Sequence, residues 1–219
     1  MLRLILGRAG TGKTALLFSE IAARCARRQS GSFLIVPEQY SHEAERELAQ
    51  RCGDTASLYA EVLSFSRLAH RVAIGCGGSA RVYIDKPGRF LQLSLALEQV
   101  GGALSVYGGS ARSPERMVQL LSALDELRFG CAAPDALRKA AESATPSLAG
   151  KLRDLALLQE ALDALSAQSG ADPAGRLDVL AEQLPGCAWL RSAKFYIDGF
   201  TDFTAQERRV IRALLPLAD

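Results

Sequence analysis

Gly7-Arg8-Ala9-Gly10-Thr11-Gly12-Lys13-Thr14 is the stretch on which the fold reading turns. It satisfies G-x-x-x-x-G-K-[ST] at every fixed position. The pattern has a chemical reason. Glycines permit a tight turn that aims several backbone N–H groups at one point. A helix starting at the end of the loop adds its positive end there. Lys13 brings a mobile cation to β- and γ-phosphates, and the Thr14 hydroxyl is a ligand for Mg²⁺. Gly7, Arg8, Ala9, Gly10, Thr11, Gly12, Lys13 and Thr14 are therefore the candidate nucleotide-binding residues. The plainer alternative is a chance glycine-rich turn after a strand, and the joint match of sequence and context argues against it. No N-K-x-D signature for guanine is present, so ATP is the expected nucleotide.

Working outward, Leu2 to Leu6 is a short apolar run ended by glycine, which reads as a buried strand. Ala15 to Arg28 is helix-prone and places Arg24, Arg27 and Arg28 near its end, where cations suit the helix dipole. Phe33 to Val36 reads as a second strand, stopped by Pro37. Ser41 is the expected cap of a helix over His42 to Arg51, with Glu43 and Glu45 in its first turn and Gly53 after it. Leu58 to Leu63 reads as a third strand, and Ser64 or Ser66 opens a helix to about Ile74. This β-α-β-α-β-α rhythm is that of a parallel α/β sheet.

The rhythm then breaks. Pro87 to Leu184 carries mainly helical signals, with starts at Pro87, Ser113-Pro114-Glu115, Pro134, Pro146 and Asp172-Pro173. Strand character returns at Lys194 to Asp198, and Thr204-Ala205-Gln206-Glu207 is a capping box for a helix to Leu215. The expected architecture is α/β. A RecA-like P-loop domain with a parallel sheet is built from residues 1–75 and 192–219, and residues 76–191 form an inserted all-helical subdomain.

A phosphate-loop site needs an acid on a neighbouring strand to hold Mg²⁺. Asp198 is that candidate, sharing the metal with Thr14; the plainer alternative is an ordinary turn aspartate before Gly199. Many motors of this class carry a glutamate directly after the aspartate. Gly199 has no side chain, and Asp202 is the candidate catalytic substitute. The expectation is a site that binds ATP·Mg²⁺ and hydrolyses it poorly or not at all.

The bulk composition fits a soluble globular chain. Of 219 residues, 48% are hydrophobic, 23% charged and 6% aromatic, with net charge +2, which neither demands nor excludes nucleic acid. Cys25, Cys52, Cys76, Cys131 and Cys187 are scattered and form no C-x-x-C pair. That argues against a disulfide framework or a local zinc site and favours buried thiols in a reducing cytoplasm. His42 and His70 have no ligand-spaced neighbours. The apolar N-terminal run is too short for a signal peptide, and nothing approaches a membrane span. A cytoplasmic protein with no membrane partner is the expectation.

Four segments together resemble one family: Gly7 to Thr14, Phe33 to Tyr40, Glu61 to Leu68 and Tyr196 to Thr204. They are similar to the N-terminal part of the AddB family, the B subunits of AddAB-type (RexAB-type) helicase–nucleases. The resemblance runs over the whole chain, with specific ends and a more generally similar helical middle. Order and spacing also resemble superfamily 1 helicases of the UvrD type. Gly7 to Thr14 then corresponds to motif I, Pro37 to Glu45 to motif Ia, Ser64 to Arg71 to motif Ib, Asp198 to Asp202 to motif II, and the insert to the accessory domain 1B. Active members carry D-E-x-Q-D where this chain has Asp198-Gly199-Phe200-Thr201-Asp202, which fits a B subunit that is not the motor.

The resemblance implies a heterodimer with an A subunit that unwinds and degrades broken DNA ends for recombinational repair. It also implies a C-terminal nuclease domain with Mg²⁺ and an iron–sulfur cluster in full-length members. None of the five cysteines here is assigned to that cluster, and the chain reads as an N-terminal fragment. Residues after the second and third strands would face single-stranded DNA or duplex ends: Glu38, Gln39 and Tyr40, then Ser64, Ser66 and Arg67. Hydroxyls, amides and arginine suit phosphates, and an aromatic suits base stacking; capping by Ser41 and Ser64 is the alternative.

Two rival readings stand beside this one. A small P-loop kinase would need an arginine-rich lid. The insert holds Arg81, Arg89, Arg112, Arg116, Arg128 and Arg138, dispersed along it. A non-catalytic, nucleotide-stabilised scaffold would dock on a motor subunit through the helical insert.

Overall fold

The computed structural model describes residues 2–53, 55–76, 82–108 and 113–218. Arg81 and Arg112 lie outside them. The chain divides into two compact units: residues 1–80, 177–203 and 207–219 form one, and residues 81–176 with 204–206 form the other.

The first unit is an α/β layer structure. Strands β1 (Ser32–Ile35), β2 (Ala60–Leu63) and β3 (Lys194–Ile197) form a parallel sheet in the order β2-β1-β3. All four β1 residues are buried, as a central strand covered on both faces requires. The pleat divides its side chains between two cores. Phe33 and Ile35 join Leu63, Leu68, Val72, Leu184 and Leu190 on one face. Leu34 and Val36 join Phe18, Ile21, Leu48, Val62 and Tyr196 on the other. Helix α1 (Lys13–Ala26) and helix α2 (Ser41–Cys52) supply the second core, and helix α3 (Phe65–Gly75) supplies the first.

The second unit has helices α4 (Lys86–Val100), α5 (Pro114–Phe129), α6 (Pro134–Glu142) and α7 (Pro146–Ser169). A proline stands in the first turn of each, where its missing N–H costs nothing. Asp85 caps α4, accepting the Gly88 N–H at 2.8 Å. The core is leucine and alanine, including Leu93, Ala96, Leu124, Ala156 and Leu158. Buried Asp154 accepts from the Ser105, Val106 and Tyr107 N–H groups and the Ser105 hydroxyl at 2.7–3.0 Å. Helix α8 (Arg176–Gln183) and helix α9 (Ala205–Leu214) complete the chain.

Three expectations are corrected. Leu2 to Leu6 is not a strand: it has no regular structure, and Leu2, Leu4 and Leu6 are 62%, 72% and 88% exposed. An apolar run suits a buried strand, but a strand exists only with a paired edge, and local sequence does not supply one. Ser41 is the first residue of α2, not its cap, and its buried hydroxyl has no partner among the described residues. The cysteines are not all separate thiols. Cys76 and Cys187 form a disulfide with Cα atoms 5.9 Å apart, although 111 residues separate them. Cys25 and Cys52, at the last turns of α1 and α2, lie side by side as thiols. Burial first, then the Cys25 thiol, pushes the Cys52 thiol up to about 11.

Candidate functional site

The glycine loop precedes α1 directly. Gly10 and Gly12 adopt φ 75° and 84°, backbone that glycine enters without steric cost. Gly7 is constrained by space instead: a Cβ there would meet the Thr11 hydroxyl oxygen at 2.6 Å. Thr11 Oγ1 donates to the Arg8 carbonyl at 2.8 Å. Lys13 Nζ lies back across the loop and donates to the Gly7 and Arg8 carbonyls at 2.8 and 2.7 Å. The first turn of α1 holds no acidic residue, so nothing local opposes an anion at its positive end. The sheet brings the second half of the site. The Asp198 N–H donates to the Ile35 carbonyl at 3.1 Å, which continues the β1–β3 ladder by one residue. The carboxylate thus sits at the strand end, where Thr14 Oγ1 donates to Asp198 Oδ2 at 2.6 Å across 184 residues.

Gly10, Thr11, Gly12, Lys13, Thr14 and Asp198 line one cavity of about 640 Å³, a size common for small-ligand sites. Its other wall comes from Phe18 on α1 and from Tyr40, Glu43, Glu47 and Arg51 in and just before α2. Sequence reasoning did not find the Glu43–Glu47–Arg51 wall. Its signal was the i, i+4 spacing of charges on one helix face, which reads as an ordinary solvated stripe. Gly199 also borders the cavity, at φ 80°. A Cβ there would approach Pro37 Cδ to 3.3 Å, so this backbone does not readily accept a side chain at that position.

The remaining candidates are scattered. Asp202 has a 91% exposed side chain; it accepts the Phe203 N–H at 2.7 Å and lies 3.8 Å from Arg208. It is not among the residues lining the cavity. Ser64 is buried and caps α3 by accepting the Arg67 N–H at 3.2 Å. Gln39 and Tyr40 are exposed, Ser66 is half-buried, and exposed Arg67 pairs with Glu45. In the helical unit Arg89 pairs with Asp125 and Asp172, Arg128 with Asp163, and Arg138 with Asp135 and Glu160. These arginines are engaged in ion pairs, unlike a lid that offers its cations to phosphates. Among the described residues no group of three or more His, Cys, Asp or Glu could hold a metal by itself, and no helix is long and apolar enough to cross a membrane.

Fold and site define an α/β chain whose parallel sheet sets a glycine loop against a strand-end aspartate. Residues 4–219 match the family described as ADDB, N-terminal. The chain belongs to that family. It is 38% identical over 224 residues to the B subunit of the ATP-dependent helicase/deoxyribonuclease of Desulforamulus reducens, covering 100% of this chain and 19% of that protein. Relatives with the same name include those of Moorella thermoacetica, at 36% identity over 100% of this chain and 20% of the relative, and Heliobacterium modesticaldum, at 38% over 98% and 18%. The chain thus spans about one fifth of the length of these relatives.

Proposed function

We propose that this chain is the ATP-binding, RecA-like and motor-inactive part of the B subunit of a helicase–nuclease that processes broken DNA ends for recombinational repair. The observation that carries the reading is the 2.6 Å contact between Thr14 Oγ1 and Asp198 Oδ2, beside a glycine loop at a helix N-terminus. Gly7 to Thr14 would bind the triphosphate, and Lys13 would leave the Gly7 and Arg8 carbonyls for β- and γ-oxygens. Thr14 and Asp198 are hard oxygen donors, and they suit Mg²⁺, which takes one or two protein ligands plus phosphate oxygens and water. That ion would neutralise phosphate charge. Gly199, with no side chain, stands where a motor carries its glutamate, so nucleotide is held with little or no turnover.

In the complete protein the partners would be DNA and an A subunit in a heterodimer. Any iron–sulfur cluster would belong to the C-terminal region of the full-length protein. Gln39, Tyr40, Ser66 and Arg67 are the proposed DNA-facing residues, while Ser64 is spent as a helix cap.

The test is ATP·Mg²⁺ binding and turnover, with and without single-stranded DNA, for the chain and for Lys13→Ala. The expected result is binding without turnover, weakened about 10- to 100-fold by the substitution, the loss of charge-assisted bonds worth about 1.5–3 kcal/mol. Fast DNA-stimulated turnover would return the motor reading, and absence of binding would reduce the loop to a structural element.

A further inference from the structure

The first unit brings four of the five cysteines together in two pairs, and the pairs differ in kind. Cys25 and Cys52 remain thiols, and Cys25 is buried. Cys76 and Cys187 are bonded, and this bond has one open end: Cys76 is exposed, while Cys187 is 1% exposed and belongs to the core. Cys76 directly follows α3, shortly before the chain leaves the first unit, and Cys187 lies shortly after it returns. The bond therefore closes a covalent ring containing every residue from 81 to 176.

We propose that Cys76–Cys187 is a reversible thiol–disulfide site, opened and closed by a small-molecule thiol couple of the glutathione class. A thiolate attacks the exposed Cys76 sulfur; the new S–S bond forms there, and the electron pair of the broken bond leaves on Cys187, which takes up a proton. A second thiolate attacks the sulfur of the bound small molecule and releases Cys76 as a thiolate, which is then protonated. The two small thiols leave joined as a disulfide, so the protein gains two electrons and two protons. The reverse sequence closes the ring. Attack at the exposed partner is what access dictates. The Cys25–Cys52 pair does not compete: Cys25 is buried, and a thiol that stays protonated at neutral pH, as Cys52 does, is a poor nucleophile.

The site carries its own reporter. Trp189 is the sole tryptophan. It stands two residues after Cys187 and packs against Gly75, the neighbour of Cys76, where an added Cβ would meet Trp189 Nε1 at 2.5 Å. Arg71 lies over its ring at 4.7 Å.

The whole chain is equilibrated in buffers of set reduced-to-oxidised glutathione ratio, quenched with acid, unfolded, alkylated and mapped by mass spectrometry, with Trp189 emission recorded in parallel. The expected result is that Cys76 and Cys187 escape alkylation together as the ratio falls, recovered as one cross-linked peptide pair, while Cys25 and Cys52 stay alkylated and exposed Cys131 gains only a glutathione adduct, and that emission shifts at the ratio where the cross-link forms. Cys76→Ser, a change at an exposed position, abolishes the emission shift. Alkylation of Cys76 and Cys187 at every ratio overturns the proposal. So does a bond that survives fully reducing buffer in the folded protein, or an emission shift retained by Cys76→Ser.

Discussion

Asp198 in the sheet-bearing unit and Asp154 in the helical unit are both at least partly withdrawn from bulk water, and they do opposite things. Asp154 receives four hydrogen bonds from one short segment, Ser105 to Tyr107. Burial raises its pKa, but those bonds outweigh burial and hold its carboxyl below the ordinary carboxylate range. Asp198 receives the Thr14 hydroxyl and faces a cavity with the glycine loop. A carboxylate saturated by its own protein is a structural peg. One with lone pairs left over, beside a glycine loop at a helix N-terminus, keeps bonding capacity that the fold does not use. The surroundings follow the same division: left-handed Gly10, Gly12 and Gly199 border the cavity that Asp198 faces, whereas Asp154 sits in a helical unit whose core is leucine and alanine.

The largest effect expected from breaking this contrast concerns the cross-link. Reducing Cys76–Cys187 releases a ring of more than a hundred residues, and the chain-entropy model assigns such a ring up to about 4–5 kcal/mol. Denaturant melts with and without reductant should show that loss in the sheet-bearing unit. An equal loss confined to the helical unit would invert the comparison.

Asp154→Ala comes next, at about 3–4 kcal/mol, because three backbone N–H groups lose a buried acceptor. The pH dependence sharpens it. The folded pKa of Asp154 lies below its unfolded value of about 3.9, so its contribution is complete above that value and is lost as pH falls through the folded pKa. Acid destabilisation of the helical unit should therefore set in below about pH 4, and the variant should flatten that limb in a circular-dichroism titration. Ser64→Ala should cost about 1 kcal/mol in thermal melts, the worth of one helix cap. Asp198→Ala should move stability least, within about 0.5 kcal/mol as for a group outside the packed core. It should also weaken ATP·Mg²⁺ binding measured by calorimetry; a multi-kcal/mol stability loss there would make Asp198 a second structural peg.

Much of this was legible in residue order. The proline-led helices, the strands at Phe33, Val62 and Tyr196, and the Ser64 cap are local signals, and local chemistry delivered them. The nature of Ser41 was not legible, because a serine before an acidic turn fits both N-cap and first-turn positions until the backbone is known. Nor was the second wall of the cavity, since Glu43, Glu47 and Arg51 acquire meaning only when α2 lies beside the glycine loop.

The sequence by itself determined the loop, its glycines, the following helix and the family, because these depend on residue type at fixed spacing along one short segment. Tertiary structure alone decided which groups meet across long separations. It placed Asp198 against Thr14, joined Cys76 to Cys187, aimed Asp154 at Ser105, and left Leu2 to Leu6 outside the sheet. Spacing along a chain constrains only neighbours within a few turns, whereas pairing across a hundred residues is set by packing of the whole core.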